Sequence, residues 1–269
     1  MSAAATPVGG PFGAAAGRVI AMPWTWRAAS LALLFAAWEV AGRSEFSWAF
    51  PTFLETMAGL WEMMADGSLG AAYLRTLQPL LIGLAISLLV GVGAGVAMGL
   101  RRDVEWLTLP IFVTAQAAPM AALIPLITFV YGIGLTSKVI AVCMLAMPVI
   151  TINSFKAVRN VPASLVDMSR SFLGSRRQQI ACVILPAAAP MMFAGIRLGV
   201  AEGFSGVVLA ELLITPTGIG DLITFHRSVA NYPQMYAVIA SIVALAVVTV
   251  SLLHRLELTL FRPEKRGAA

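Results

Sequence analysis

Apolar runs of about bilayer length alternate along this chain with short polar stretches. A membrane-spanning helix needs about 20 mostly apolar residues, and six stretches approach that length. The first, Trp26–Gly42, is short, with Trp24 and Trp26 placed as interfacial anchors. A mixed stretch follows, Arg43 to Thr76. Within it Pro51 leads into Phe53, Met57, Leu60, Trp61 and Met64, the spacing of an amphipathic interfacial helix. The second run is Leu77–Leu100, where Gly91, Gly95 and Gly99 fall four apart and make a stripe that lets another helix approach. The third, Trp106–Tyr131, carries Pro110, Pro119 and Pro125. Proline removes a backbone donor and kinks a helix. Lipid does not tolerate such breaks unless protein or a water-lined cavity covers them, so this segment is expected near the centre of the bundle.

A turn at Gly132–Ser137 leads to the fourth run, Lys138–Phe155. The fifth, Val183–Ile214, exceeds one untilted span, and its first part is expected to be bent or interfacial. Gly218–Asn231 reads as a loop, and Met235–Leu253 as the sixth span. The expectation is an all-α integral membrane protein with about six transmembrane helices. Its parts are a flexible cytoplasmic tail over 1–23, a first span and external segment over 24–76, a core over 77–255 and a basic tail over 256–269.

Composition supports this reading. Hydrophobic residues make up 59% and charged residues 12%, against about 45–50% and about 25% in soluble domains. One globular core could not bury that excess. The net charge of +5 does not mark a nucleic-acid binder, because the basic residues sit between apolar runs with no aromatic interleaving. They mark topology instead, since Lys and Arg concentrate in cytoplasmic loops. With six spans and a cytoplasmic N-terminus, the outside set is only Arg43, Arg75, Lys138 and Arg227, and Arg197 lies within the membrane. Both termini are then cytoplasmic.

Catalytic and metal chemistry find no support in the sequence. Cys143 and Cys182 lack metal-ligand spacing, and His226 and His254 lack an H-E-x-x-H pattern. No catalytic pair stands at membrane depth. The expectation is a transport subunit without cofactor, metal or enzymatic activity of its own.

The polar stretch Asn160–Gln179 is the most informative. Pro162 suits a first helical turn capped by Asn160 or Val161. Leu165, Met168 and Phe172 then fall at i, i+3 and i+7 as an apolar stripe, with Asp167, Arg170 and Ser171 facing elsewhere. Such a helix can lie on lipid or dock into a groove on a soluble partner.

The segment V-D-M-S-R-S-F-L-G-S-R-R-Q-Q-I-A-C-V-I-L-P resembles the EAA motif of ABC importer permeases that work with a binding protein. Asp167 stands at the motif's glutamate, Met168 and Ser169 at its alanines, and Ile184, Leu185 and Pro186 at its closing I-x-L-P. The motif's glycine position holds Leu173, with Gly174 one residue later. Ala117–Gly134 is similar to a proline-rich segment of sulfonate, nitrate and taurine-type permeases. A-G-I-R-L-G at Ala194–Gly199 and the pair Ala210–Glu211 followed by G-I-G also match.

The resemblance implies the fold of type I ABC importer permeases, in a bacterial cytoplasmic (inner) membrane. It makes residues 161–177 a coupling helix, with Leu165, Asp167, Met168, Ser169, Arg170, Phe172 and Gly174 facing a separate ATPase. The chain has no G-x-x-x-x-G-K-[ST] phosphate loop and needs that partner. A periplasmic or lipid-anchored substrate-binding protein, a second permease copy and membrane lipid complete the expected partners. The implied cargo is a small anion such as a sulfonate, taurine or nitrate. Pro119, Pro125, Arg197, Glu202 and Glu211 are candidates for the translocation path or for intramembrane packing. Arg197 and Glu211 match family positions, whereas Glu202 stands where the family usually has an apolar residue. Gly195, Gly199 and Gly203 form a second stripe, read as a close contact across a dimer axis. The competing reading is a secondary transporter or channel that needs no ATPase.

Overall fold

The computed structural model describes residues 23–44, 48–214 and 217–261. All but Pro23 of the tail expected over 1–23, and most of the one expected over 256–269, lie outside them. Every regular element described is helical: α1 (Pro23–Arg43), α2 (Phe53–Ala65), α3 (Ser68–Leu100), α4 (Arg102–Ala117), α5 (Met120–Tyr131), α6 (Leu135–Arg159), α7 (Ala163–Ser171), α8 (Arg176–Gln178), α9 (Leu185–Ile214), α10 (Ile219–Ser228) and α11 (Tyr232–Phe261). A π-helical turn, Gln179–Ile184, joins α8 to α9.

The axis of the bundle is α6, packed between α3 and α9. Small residues make this possible. A Cβ on Gly95 of α3 would stand 2.5 Å from the Thr151 carbonyl of α6, and one on Gly99 2.5 Å from Val158. The stripe at Gly91, Gly95 and Gly99 therefore does what its spacing predicts. The second stripe does not cross a dimer axis. Gly195 and Gly199 of α9 pack on Asn153 and Ile150 of α6, and Gly203 packs on Leu84 of α3. A four-residue period reveals a close approach but not which helix makes it.

Four stretches are long and apolar enough to cross a membrane: Ser68–Leu100, Leu135–Arg159, Arg176–Ile214 and Tyr232–Phe261. A fifth is the pair α4 and α5, bent by 104° at Ala118–Pro119. The single third span expected over Trp106–Tyr131 is thus two helices, with Pro119 as the N-cap of the second. Nor is it central: α4 buries no residue, and α5 buries only Met120 and Ile124. α1 has 21 residues but is less apolar than these four; it runs beside α11 from Arg27 near Arg255 to Trp38 near Tyr236, the length of a sixth crossing.

Other boundaries move as well. α3 starts at Ser68, inside the stretch expected to be interfacial. The expected loop Gly218–Asn231 contains α10. α11 runs on to Phe261, so the basic tail starts later than residue 256. The amphipathic α2 forms as expected. Thr52 closes its N-terminus with a capping box: its hydroxyl accepts from the Glu55 N–H, and the Glu55 carboxylate accepts from the Thr52 N–H. Trp38 ties α1 to this cap by donating to the Pro51 carbonyl at 3.1 Å.

Candidate functional site

Two places concentrate polar groups in this apolar protein. The first is the short helix between α6 and the π turn. Pro162 is its N-cap, where the spacing suggests Asn160 or Val161. Leu165, Val166 and Ser169 turn toward the body of the protein, while Met168 and Phe172 point out, at 49% and 81% exposure. Asp167 and Arg170 form an exposed ion pair at 3.2 Å, a surface pair that contributes ~0–1 kcal/mol.

The end of this helix explains the displaced glycine. The Gly174 N–H donates to the Ser169 carbonyl at 3.0 Å and the Leu173 N–H to the Arg170 carbonyl at 2.9 Å. That is a Schellman motif, whose penultimate residue must be left-handed. Leu173 fills that position, at φ 56°. Gly174 follows because a Cβ there would stand 2.9 Å from the Ser169 carbonyl. Ser175 then starts the next helix with its own capping box. The tight reversal is retained, and Leu173 is left 93% exposed beside Phe172.

The second place is α9. Glu211 is fully buried. The Lys138 ammonium donates to it at 2.9 Å, the Thr76 hydroxyl at 2.9–3.0 Å and the Gly220 N–H at 3.1 Å. Lys138 also donates to the Thr217 hydroxyl at 2.8 Å and the Thr217 carbonyl at 3.2 Å. The Ile219 N–H donates to the Thr76 hydroxyl at 2.9 Å. α3, α6, α9 and the start of α10 are thus knotted around one carboxylate. The G-I-G sequence has a physical cause here. A Cβ on Gly218 would stand 2.6 Å from the Thr76 hydroxyl, and one on Gly220 2.9 Å from the Leu212 nitrogen. Only glycine lets the chain wrap over Glu211 this closely. Lys138, expected as an external topology marker, is instead the buried counter-ion.

At the end of α10, burial holds the His226 imidazole below the usual histidine range, and the Asp66 carboxylate pulls the other way. Two hydrogen bonds from Ser68 hold Asp66 below the usual carboxylate range.

Arg197 does not join Glu202 or Glu211. It donates to Glu257 and faces His254, both on α11. Its partners stand beside Arg255, where the apolar stretch of α11 gives way to charged residues. Fourteen residues, about 21 Å of helix, separate Arg197 from Glu211. Glu202 lies between them, exposed on the face that carries Leu198 and Ser205, with no hydrogen bond or ion pair among the described residues. The sequence singled out Glu211 but gave no sign of Thr76, Lys138 or Thr217 as its partners, nor of Glu257 for Arg197. The one available signal was that a carboxylate in an apolar helix requires a counter-charge. Pro119 and Pro125 lie in the bent segment, away from these charges in sequence and element.

Residues 87–263 match the family model described as binding-protein-dependent transport system inner membrane component. The chain belongs to this family. Among its relatives, the riboflavin transport system permease of Chloroflexus aurantiacus is 29% identical, with 83% of each chain covered. The taurine transport system permease of Escherichia coli is 29% identical over 72% of this chain and 70% of its own. The putative aliphatic sulfonates transport permease of Bacillus subtilis is 29% identical over 81% and 78%. A solved amino acid ABC transporter shares the fold with TM-score 0.60 at 14% identity, over 76% of this chain and 98% of that one. The protein is therefore an integral membrane permease subunit of an ABC importer, a transport component rather than an enzyme, working with an ATPase and a substrate-binding protein.

Proposed function

We propose that α7 and its Schellman reversal form the surface through which this permease is driven by its ATPase. Met168, Phe172 and Leu173 insert into that partner, and Asp167 and Arg170 flank the contact. The observation that carries this reading is a rigid, doubly capped reversal that presents Phe172 and Leu173 at 81% and 93% exposure. Large apolar side chains held at the tip of a short helix fit a helix-in-groove contact. Leu165, Ser169 and Gly174 hold the reversal in place rather than touch the partner.

The translocation path runs along the exposed face of α9. Lipid cannot solvate an unpaired carboxylate at membrane depth, and such groups face cavities or partners. Glu202 turns away from its own bundle, so the path lies between this subunit and a second one. The small apolar-rich chain fits a homodimer. Pro119, at the 104° break, and Pro125, inside α5, flank that path, whereas Arg197 and Glu211 fix packing. The bias of Lys and Arg supports cytoplasmic termini and a cytoplasmic α7 in an inner membrane. The relatives' names support a small solute, several of them anions such as sulfonates, taurine and nitrate.

The test is reconstitution in proteoliposomes with the ATPase and binding protein. Phe172→Asp and Asp167→Lys should abolish ATP-driven uptake and stimulation of ATP hydrolysis while the helices insert normally. Wild-type uptake in Phe172→Asp would discard the surface. Uptake by the permease alone would favour a secondary transporter or channel.

A further inference from the structure

Two basic residues of one cluster, Arg27 and Arg255, take no part in packing or in the α7 surface. A cavity of about 400 Å³ is lined by Arg27 of α1, Arg197 of α9 and Val250, Ser251, His254 and Arg255 of α11. Arg197 is neutralised by Glu257. Arg27 and Arg255 are exposed and make no ion pair among the described residues. Two unpaired guanidiniums therefore border a pocket that also holds a serine hydroxyl. Beside Arg27, Trp26 is 63% exposed, in the position of an interfacial anchor.

The same two long helices carry a second cavity. It has a volume of about 410 Å³ and is lined almost wholly by apolar groups, among them Ala201, Phe204 and Val208 of α9 and Ile242, Val243 and Ala246 of α11. Its near edge is one helical turn from the basic cavity on both walls: Ala201 follows Arg197 by four residues, and Ala246 precedes Val250 by four. Four residues span about 6 Å. The groove between α9 and α11 is thus basic and hydroxylated where the apolar stretch of α11 ends, and apolar along the span. A soluble acidic partner would match the basic end but not the apolar floor. A second helix would match the floor but leave the guanidiniums uncovered. A molecule with an anionic phosphate at one end and hydrocarbon at the other matches both.

We propose that this groove is a binding site for an anionic phospholipid, with its phosphate among Arg27, Ser251 and Arg255 and an acyl chain along Phe204, Val208 and Val243. Basic pockets between spanning helices bind acidic headgroups, and each Lys or Arg near the surface contributes about 1 kcal/mol. The site bridges α1, which has few other ties to the bundle, to α9 and α11. It does not depend on what the permease transports.

The test uses the assembled importer in nanodiscs of equimolar dioleoylphosphatidylglycerol and dioleoylphosphatidylcholine. Lipids retained after release into detergent are counted by native mass spectrometry. The wild type should retain phosphatidylglycerol in preference to phosphatidylcholine. Arg27→Gln with Arg255→Gln should lower that preference about thirtyfold, the equivalent of about 2 kcal/mol for two basic groups. Val243→Trp should fill the apolar end and lower retention of both lipids. A thermal melt of each variant should stay within a few degrees of wild type, since all three positions are exposed. Equal retention of the two lipids by the wild type would overturn the site, as would retention unchanged in the double variant. Displacement of the retained lipid by excess inorganic phosphate would reduce the site to a free-anion pocket. Loss of permease–permease association in Val243→Trp, with lipid retention intact, would assign the groove to a second copy instead.

Discussion

The two ends of the long helix α9 are built on opposite terms. At the Glu211 end one buried carboxylate is fully matched: it meets an ammonium, a hydroxyl and a backbone N–H, and glycines close over it. At the end next to α7, polar and apolar groups are left open. Phe172 and Leu173 face outward, Arg27 and Arg255 go unpaired, and Glu202 stands without a partner between the two ends. A saturated buried cluster can only hold helices together, because nothing in it is free to bind. An open one has groups to spare for a solute, a lipid or another subunit. The same chemistry, a glutamate in an apolar helix, is therefore saturated at Glu211 and left without a partner at Glu202, where the proposed path runs.

The largest expected effect lies in the closed end. Lys138→Ala leaves Glu211 buried and uncompensated and should cost about 3–5 kcal/mol, read by denaturant unfolding in detergent. Replacing both charges, Lys138→Met with Glu211→Leu, should recover most of that loss, since a buried pair exchanged for packed apolar groups is often neutral. A single variant as stable as wild type would show that the end is hydrated and open, and the contrast with Glu202 would collapse.

Gly220→Ala should come next. Its Cβ would press on the Leu212 nitrogen at 2.9 Å, and overpacking of this kind costs about 1–3 kcal/mol. The loss should be confined to stability, with ATP coupling intact in whatever protein remains folded. Glu202→Gln should behave in the opposite way. An exposed group with no partner changes stability by about 0.5 kcal/mol or less, but the rate or selectivity of uptake in proteoliposomes should shift. A clear fall in unfolding stability for Glu202→Gln would place this side chain in packing beside Glu211.

The closed end was the less legible of the two in the sequence. Gly195, Gly199 and Gly203 announced close packing, but a four-residue period carries no direction, and the partner was α6 and α3 rather than a second copy. Lys138 looked like a topology marker because it opens an apolar run. Its partner is 73 residues away, and no local pattern encodes that distance. The prolines of the third run showed that the helix breaks, but a bend of 104° depends on where Ala118 and Pro119 leave the helical region, which composition does not give. α10 was hidden by its short length and flanking glycines. The α7 region was readable because helix, caps and reversal are all made from neighbours in sequence. There Leu173 misled, by doing what glycine usually does, and so did the apolar stripe, because Leu165 turns inward while Met168 and Phe172 point out.

That residue allows the finest test of the contrast. The same Schellman geometry recurs at the end of α10. The Ala230 N–H donates to the Arg227 carbonyl at 3.2 Å and the Asn231 N–H to the His226 carbonyl at 2.9 Å, with Ala230 left-handed at φ 55°. Left-handed backbone costs a residue with a Cβ about 1–2 kcal/mol, part of which glycine returns as entropy in the unfolded chain. Leu173→Gly and Ala230→Gly should therefore each stabilise the permease by about 1 kcal/mol. They should part company in function. Ala230 belongs to the closed end, so its replacement should leave ATP-driven uptake unchanged. Leu173 holds its strain with a side chain 93% exposed, so the glycine variant should be more stable yet more weakly coupled, with the ATP hydrolysed per solute rising. Equal coupling in both variants would mean that the strain at Leu173 serves no contact, and that the apolar tip of the open end reduces to Met168 and Phe172.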